Sequence, residues 1–197
     1  MKSQTKLLTT KRVKIPVSGA LILLFGFIAG LGFFQFILLE ETTPLSLNES
    51  PLKVCFSPQG NCENLVVETI AAAEKSIKVQ AYSFTSLPIT TALIQAHKRG
   101  VSVQVICDKS QIKARHSKIR QLQQAKIPVY IDKVSGLSHN KVMIFDDQSA
   151  ITGSYNWSHA ANVRNAENLL LIHSPALANK YNENWRFRLQ GAQIYMG

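Results

Sequence analysis

Three cysteines in 197 residues are few, and none of them joins a histidine at the spacing of a zinc site. The chain also lacks internal repeats and low-complexity tracts, which argues against a repeat architecture or a disordered chain. Acidic residues are scarce, 12 against 22 basic ones, for a formal charge of +10. A balance of that sign disfavours basic partners and favours polyanions such as nucleic acid or anionic lipid headgroups. Part of the excess is local, because Lys2, Lys6, Lys11, Arg12 and Lys14 precede the first acid. From Glu41 onward 17 basic residues remain against 11 acidic ones.

The one long apolar run covers residues 17–39, which carry no charge and only Ser18 and Gln35 as clearly polar side chains. As a helix it is about 35 Å long, enough to cross a bilayer. Residues 1–16 then read as a basic N-terminal segment, 17–39 as a transmembrane anchor, 40–51 as a linker and 52–197 as a catalytic domain. A cleaved signal sequence is the alternative, although the run exceeds a usual signal core and no small-x-small site precedes Glu40. Basic residues before the run, with Glu40 and Glu41 after it, place the N-terminus in the cytoplasm. The expected location is a bacterial inner membrane with the domain in the periplasm, or the periplasm alone if the leader is removed. Gly26 and Gly30 have the spacing that lets membrane helices approach, though glycine is common in such helices. In an exported chain Cys55 and Cys62 are near enough in sequence to close a small loop, and core packing is the other reading. Cys107, in an apolar run, reads as a buried free thiol.

From residue 52 the pattern alternates. Strand-like runs at 52–57, 77–84, 101–108 and 128–132 are separated by helical patterns, one opened by Asn61 and one over 88–99 closed by Gly100. Strands over 141–145, 150–154 and 167–173 follow, then an amphipathic helix over 175–189. Strands divided by helices build crossover units, so the expected fold is α/β, with a central mixed, mostly parallel β-sheet flanked by helices on both faces. Residues 109–126 hold six basic side chains and no acid on a stretch that reads as largely helical. It is either a solvated helix face or a track for phosphates.

Chemistry concentrates in HNKVMIFDDQSAITGSYNWS, residues 139–158. His139 and Lys141 are two apart and share a face on an extended backbone; Ser154 and Asn156 repeat that geometry one strand later. Imidazole, ammonium, hydroxyl and amide around one point outline a phosphate site. His139, Lys141, Asp146, Gly153, Ser154 and Asn156 together resemble the HKD signature of the phospholipase D superfamily. The segments 54–58 and 81–85 and the pair Glu167-Asn168 are similar to the small bacterial endonucleases of that superfamily, so the likeness runs from Leu52 to the C-terminus. By contrast His116-Ser117-Lys118 has Gln123 where the pattern needs Asp, and reads as surface or at best a backbone contact. His97 sits near a helix end, and His159 and His173 have no motif partners.

Phosphodiester cleavage through a covalent intermediate needs a nucleophile at phosphorus and an acid for the departing alkoxide. One His139 cannot be both in one step. The resemblance implies that single-motif members pair two subunits, so a homodimer is expected with both His139 side chains at the interface. It further implies that Lys141 and Asn156 hold the non-bridging oxygens, that Ser154 adds a hydrogen bond and that Glu167 fixes the tautomer of His139. Asp146, the last motif position, falls on the opposite face by strand alternation and is expected to be structural. No cofactor or metal is implied, because paired lysines supply the positive charge. The leading expectation is a nonspecific endonuclease on DNA or RNA. A membrane-anchored phospholipase is the alternative, and a non-catalytic nucleic-acid-binding module the third reading.

Overall fold

The computed structural model describes residues 52–197. Residues 1–16, the apolar run 17–39 and the linker 40–51 lie outside the described residues, as do Gly26 and Gly30. Among the described residues no helix is long and apolar enough to cross a membrane.

Eight strands form a single sheet. In chain order the elements are β1 (Leu52–Ser57), α1 (Cys62–Ala72), β2 (Ser76–Ala81), α2 (Leu87–Lys98) and β3 (Ser102–Cys107). They continue with α3 (Ile119–Gln124), β4 (Val129–Ile131), β5 (Lys141–Phe145), β6 (Ser149–Gly153) and α4 (His159–Val163), and end with β7 (Glu167–His173), α5 (Pro175–Gln190) and β8 (Gln193–Ile194). The spatial order of strands is β1-β7-β6-β5-β2-β3-β4-β8.

The sheet is mixed, but the expectation that it is mostly parallel is wrong. Only β2–β3 and β3–β4 run parallel, and all other neighbours are antiparallel. The reason lies in the connections: α2 and α3 carry the chain back between parallel strands, whereas β5 and β6 are joined by the short turn 146–148, which can only reverse direction. Asp146 and Asp147 accept left-handed backbone angles in that turn, φ 55° and 58°.

Alternation along the strands sends side chains into two cores. Val79, Val105, Met143, Ile151 and Leu171 face α1 and α2, while Ile106, Val142 and Ile144 meet Ala178 and Trp185 of α5. Helices therefore cover both faces. Ser86 starts α2 by accepting the Ile89 N–H, and Pro88 supplies a pre-set first turn. Asn61 precedes α1 in a left-handed conformation without a side-chain cap. The basic stretch 109–126 is less helical than expected, a single 3-10 turn at Lys109–Ile112 and then the six-residue α3. Like charges at close spacing, with no acid to offset them, oppose a continuous helix there.

Cys55 and Cys62 form a disulfide, Cα–Cα 5.6 Å, which ties the edge strand β1 to the start of α1. Cys107 is a buried free thiol, and burial holds its proton in place.

Candidate active site

One end of the sheet gathers the motif residues. Register places Lys141 opposite Ala81 at the end of β2, Val142 opposite Thr152 near the end of β6, and Glu167 opposite Ser57 at the end of β1. Five strands thus terminate or begin together, and the side chains just beyond them share that edge.

His139 stands exposed one residue before β5, and its ring packs against Tyr82, centroids 4.4 Å apart. The backbone that presents it is held firmly. Neighbouring Ser138 is buried; its N–H donates to Asp108 (2.8 Å) and its hydroxyl to Asp132 (2.9 Å). These carboxylates close β3 and β4. Burial pushes both upward, but hydrogen bonds from Ser110 and Ser138 hold Asp108 below the usual carboxylate range. Burial also opposes the ionised form of Asp132, and bonds from Arg188, Ser138 and Val134 outweigh it.

Lys141 is buried at the first position of β5. Its ammonium donates to the carbonyl of His139 (2.8 Å) and lies 4.9 Å from the centre of the Tyr82 ring. Burial pushes this lysine down, and the charge of Glu167 pulls it back up. Lys141 and Glu167 lie on the same face, since both keep the parity of the core residues Met143 and Leu169.

The carboxylate expected to hold His139 is engaged elsewhere. Glu167 accepts from the Ser154 hydroxyl (2.6 Å) and from the Asn165 amide (2.9 Å), groups that stand beside it on the same loop end. Ser57 in turn donates to the Asn165 carbonyl (3.0 Å). Ser154 spends its proton on Glu167 and accepts from the Asn168 N–H, so it braces the site instead of offering a donor to a ligand. Gly153 is needed here: at φ +148° it passes so close to the Asn168 carbonyl that any side chain would collide.

In Ser154-Tyr155-Asn156-Trp157, period-two alternation buries Tyr155 and Trp157 and leaves Ser154 and Asn156 half-buried. The Trp157 indole N–H donates to the Gln80 carbonyl (3.0 Å), which locks the segment to β2. Burial, with the charges of Glu63 and Glu167, keeps the Tyr155 hydroxyl protonated. The Asn156 amide oxygen is buried and has no hydrogen-bond partner within the described residues.

Asp146 does not belong to this constellation. It lies at the far end of β5, about 17 Å away at ~3.3 Å per residue, and accepts the backbone N–H groups of Glu74, Lys75 and Ser76. Those three bonds hold its carboxyl low against the effect of burial, and they pin the turn after α1 to the β5–β6 turn. Tyr82, Asp108, Asp132 and Asn165 were not singled out by sequence reasoning. The available signal for the two acids and Tyr82 was their place at strand ends, where loops carry function.

A family profile described as "Cardiolipin synthase, PLD-like domain" matches residues 66–187. The chain is 47% identical over 139 residues to a phospholipase D of Rickettsia conorii, 71% of this chain and 70% of the relative. It is 31% identical over 140 residues to the mitochondrial cardiolipin hydrolase of Xenopus laevis, 69% of this chain and 66% of that one. Among solved structures, the phospholipase D family member Nuc from Salmonella typhimurium superposes with a TM-score of 0.71 at 35% identity, over 74% of this chain and 98% of that one. Fold, sheet-end geometry and sequence likeness agree: the chain belongs to the phospholipase D superfamily and is a phosphodiesterase of that family.

Proposed function

We propose that this phosphodiesterase is a metal-independent endonuclease that hydrolyses DNA or RNA through a phosphohistidine in a homodimeric site. The observation that carries the reading is a single exposed His139, set beside the buried Lys141 ammonium at an open sheet edge. One such histidine per chain supplies half of the acid–base requirement.

His139 of one subunit attacks phosphorus as the phosphorus–oxygen bond to the leaving strand breaks, and His139 of the partner subunit gives that oxygen a proton. Water then attacks phosphorus, the same partner histidine takes its proton, and the nitrogen–phosphorus bond opens to release the phosphomonoester. Lys141 and Asn156 stabilise the charge that develops on the non-bridging oxygens. Glu167 keeps Lys141 charged and Ser154 in place. Residues 17–39 anchor the chain in the inner membrane with the domain in the periplasm.

Nucleic acid is preferred because the loops at this end carry basic side chains free of acidic partners, the arrangement a phosphate backbone needs. A phospholipase is the second reading, favoured by the name of the Rickettsia conorii relative. Incubating the full chain with plasmid, RNA and phospholipid vesicles in chelator, beside His139→Ala, separates them. The expected result is nicked plasmid, steep salt dependence and no activity in the variant. Headgroup release without nicking adopts the second reading, and rescue by one specific metal removes metal independence. Mixing subunits tests the shared site: with a ninefold excess of His139→Ala, activity per wild-type chain should drop about tenfold, since both histidines must be present.

A further inference from the structure

A second cleft opens at the same end of the sheet, with a volume of about 490 Å³. Its walls come from four places, the first turn of α1, the loop after β2 with the start of α2, the turn before α3, and α4 with its C-cap. His116 and Lys118 face it from one side, and His159 and Arg164 from another. The His116-Ser117-Lys118 segment that failed the motif pattern thus lines a site of its own. None of these four side chains makes an ion pair or a hydrogen bond among the described residues. The one acid in the wall, Glu63, accepts the Ser86 hydroxyl at 2.6 Å. Leu87 and Pro88 form an apolar rim.

The cleft is joined rigidly to the catalytic edge. Trp157 accepts the N–H groups of Thr85 and Ser86, and Phe84 accepts that of Lys118. Tyr82, which touches His139, is three residues from Thr85, and Asn156 is three from His159. Three residues reach at most about 11 Å. The cleft thus lies close enough to the catalytic edge for phosphates of one strand to occupy both.

We propose that this cleft is a second anion subsite, holding a backbone phosphate of the nucleic acid near the one attacked at His139. The inference rests on the nuclease reading for its ligand, and it makes the enzyme selective for strands over isolated diesters. Lys118 and Arg164 supply permanent charge and a forked donor set. His116 and His159 add donors. The apolar rim suits a sugar or base edge.

The test compares Lys118→Gln/Arg164→Gln with the unsubstituted chain, full length, in two assays. Binding of a fluorescent single-stranded oligonucleotide is read in a His139→Ala background, and turnover of bis(p-nitrophenyl) phosphate, which has one phosphate, in the active background. Oligonucleotide affinity should fall about tenfold, and the salt slope should flatten by about 1.4, for two contacts at ~0.7 each. Turnover of the single diester should not change. His116→Gln/His159→Gln should move binding in the same direction by less. Unchanged oligonucleotide affinity overturns the proposal, as does an equal loss in both assays or cleft-dependent binding to anionic vesicles alone. Cleft-dependent DNA binding by a chain that never cuts DNA would leave the subsite standing and remove the nuclease reading instead.

Discussion

The sheet has two halves that meet between β2 and β5, and they divide the work. The antiparallel half, β5, β6, β7 and β1, carries Lys141, Ser154, Asn156 and Glu167 on or just beyond its strand ends. The parallel half, β2, β3 and β4, ends in Tyr82, Asp108 and Asp132 and in the loops that form the basic cleft. Hairpin and neighbour register in the antiparallel half set reactive groups at fixed offsets. Crossovers in the parallel half leave longer loops at the strand ends, which grip and extend the site. His139 is the joint between them, since Ser138 is held by the parallel half and Lys141 begins β5.

Substitutions that break this division should differ in what they damage. The largest effect is expected for Lys141→Met in the antiparallel half, which removes the charge without removing bulk. Turnover should fall by about 10²–10³-fold, with KM and thermal stability nearly unchanged, because the ammonium acts on charge that appears in the transition state. A comparable loss of KM alone would place Lys141 in ground-state binding.

In the parallel half, Asp132→Asn should cost stability first, about 3 kcal/mol, since it breaks a buried pairing with Arg188 and Ser138. Urea denaturation measures it. The same variant should flatten the acid limb of stability. The folded pKa of Asp132 is depressed, so its contribution is complete above the unfolded value near ~3.9 and is lost as pH falls through the folded one. An unaltered Tm profile between pH 5 and 2.5 would mean that this carboxylate does not hold the loop.

Removing the disulfide with Cys55→Ala/Cys62→Ala loosens the outer strand of the antiparallel half. A loop this short predicts a loss of about 2.5 kcal/mol, with activity retained at low temperature, because Ser57 and Asn165 still brace Glu167. The smallest change is expected for Glu167→Gln. Burial lowers Lys141 and Glu167 raises it, so losing the carboxylate should drop the lysine further. The alkaline limb of the pH–rate profile should therefore move to lower pH, with less than a tenfold loss near neutrality. A shift to higher pH would contradict the Lys141–Glu167 coupling.

Much of this division was legible in the residues. The alternation of strand and helix patterns gave α/β, and His139, Lys141, Ser154 and Asn156 came from spacing and chemistry. One reading went astray where a local pattern cannot see direction. A strand looks the same parallel or antiparallel, and direction is set by the connections, such as the three-residue turn 146–148 that reverses the chain between β5 and β6. Asp146 shares a motif with His139 yet lies a full strand away, and its bonds to the backbone of Glu74, Lys75 and Ser76 give it the structural role that strand alternation suggested. Glu167 lies on the expected edge, where its oxygens accept from Ser154 and Asn165.

By itself the sequence pointed to the class of bond this protein breaks, through the resemblance of His139, Lys141, Ser154 and Asn156 to a known motif, while period-two spacing put each pair on one face of the chain. Tertiary structure alone decided which carboxylates hold the loop of His139, why Lys141 stays beside it, and that His116, Lys118, His159 and Arg164 converge on one cleft. Those are long-range contacts, between residues far apart in the chain, and no local periodicity encodes them.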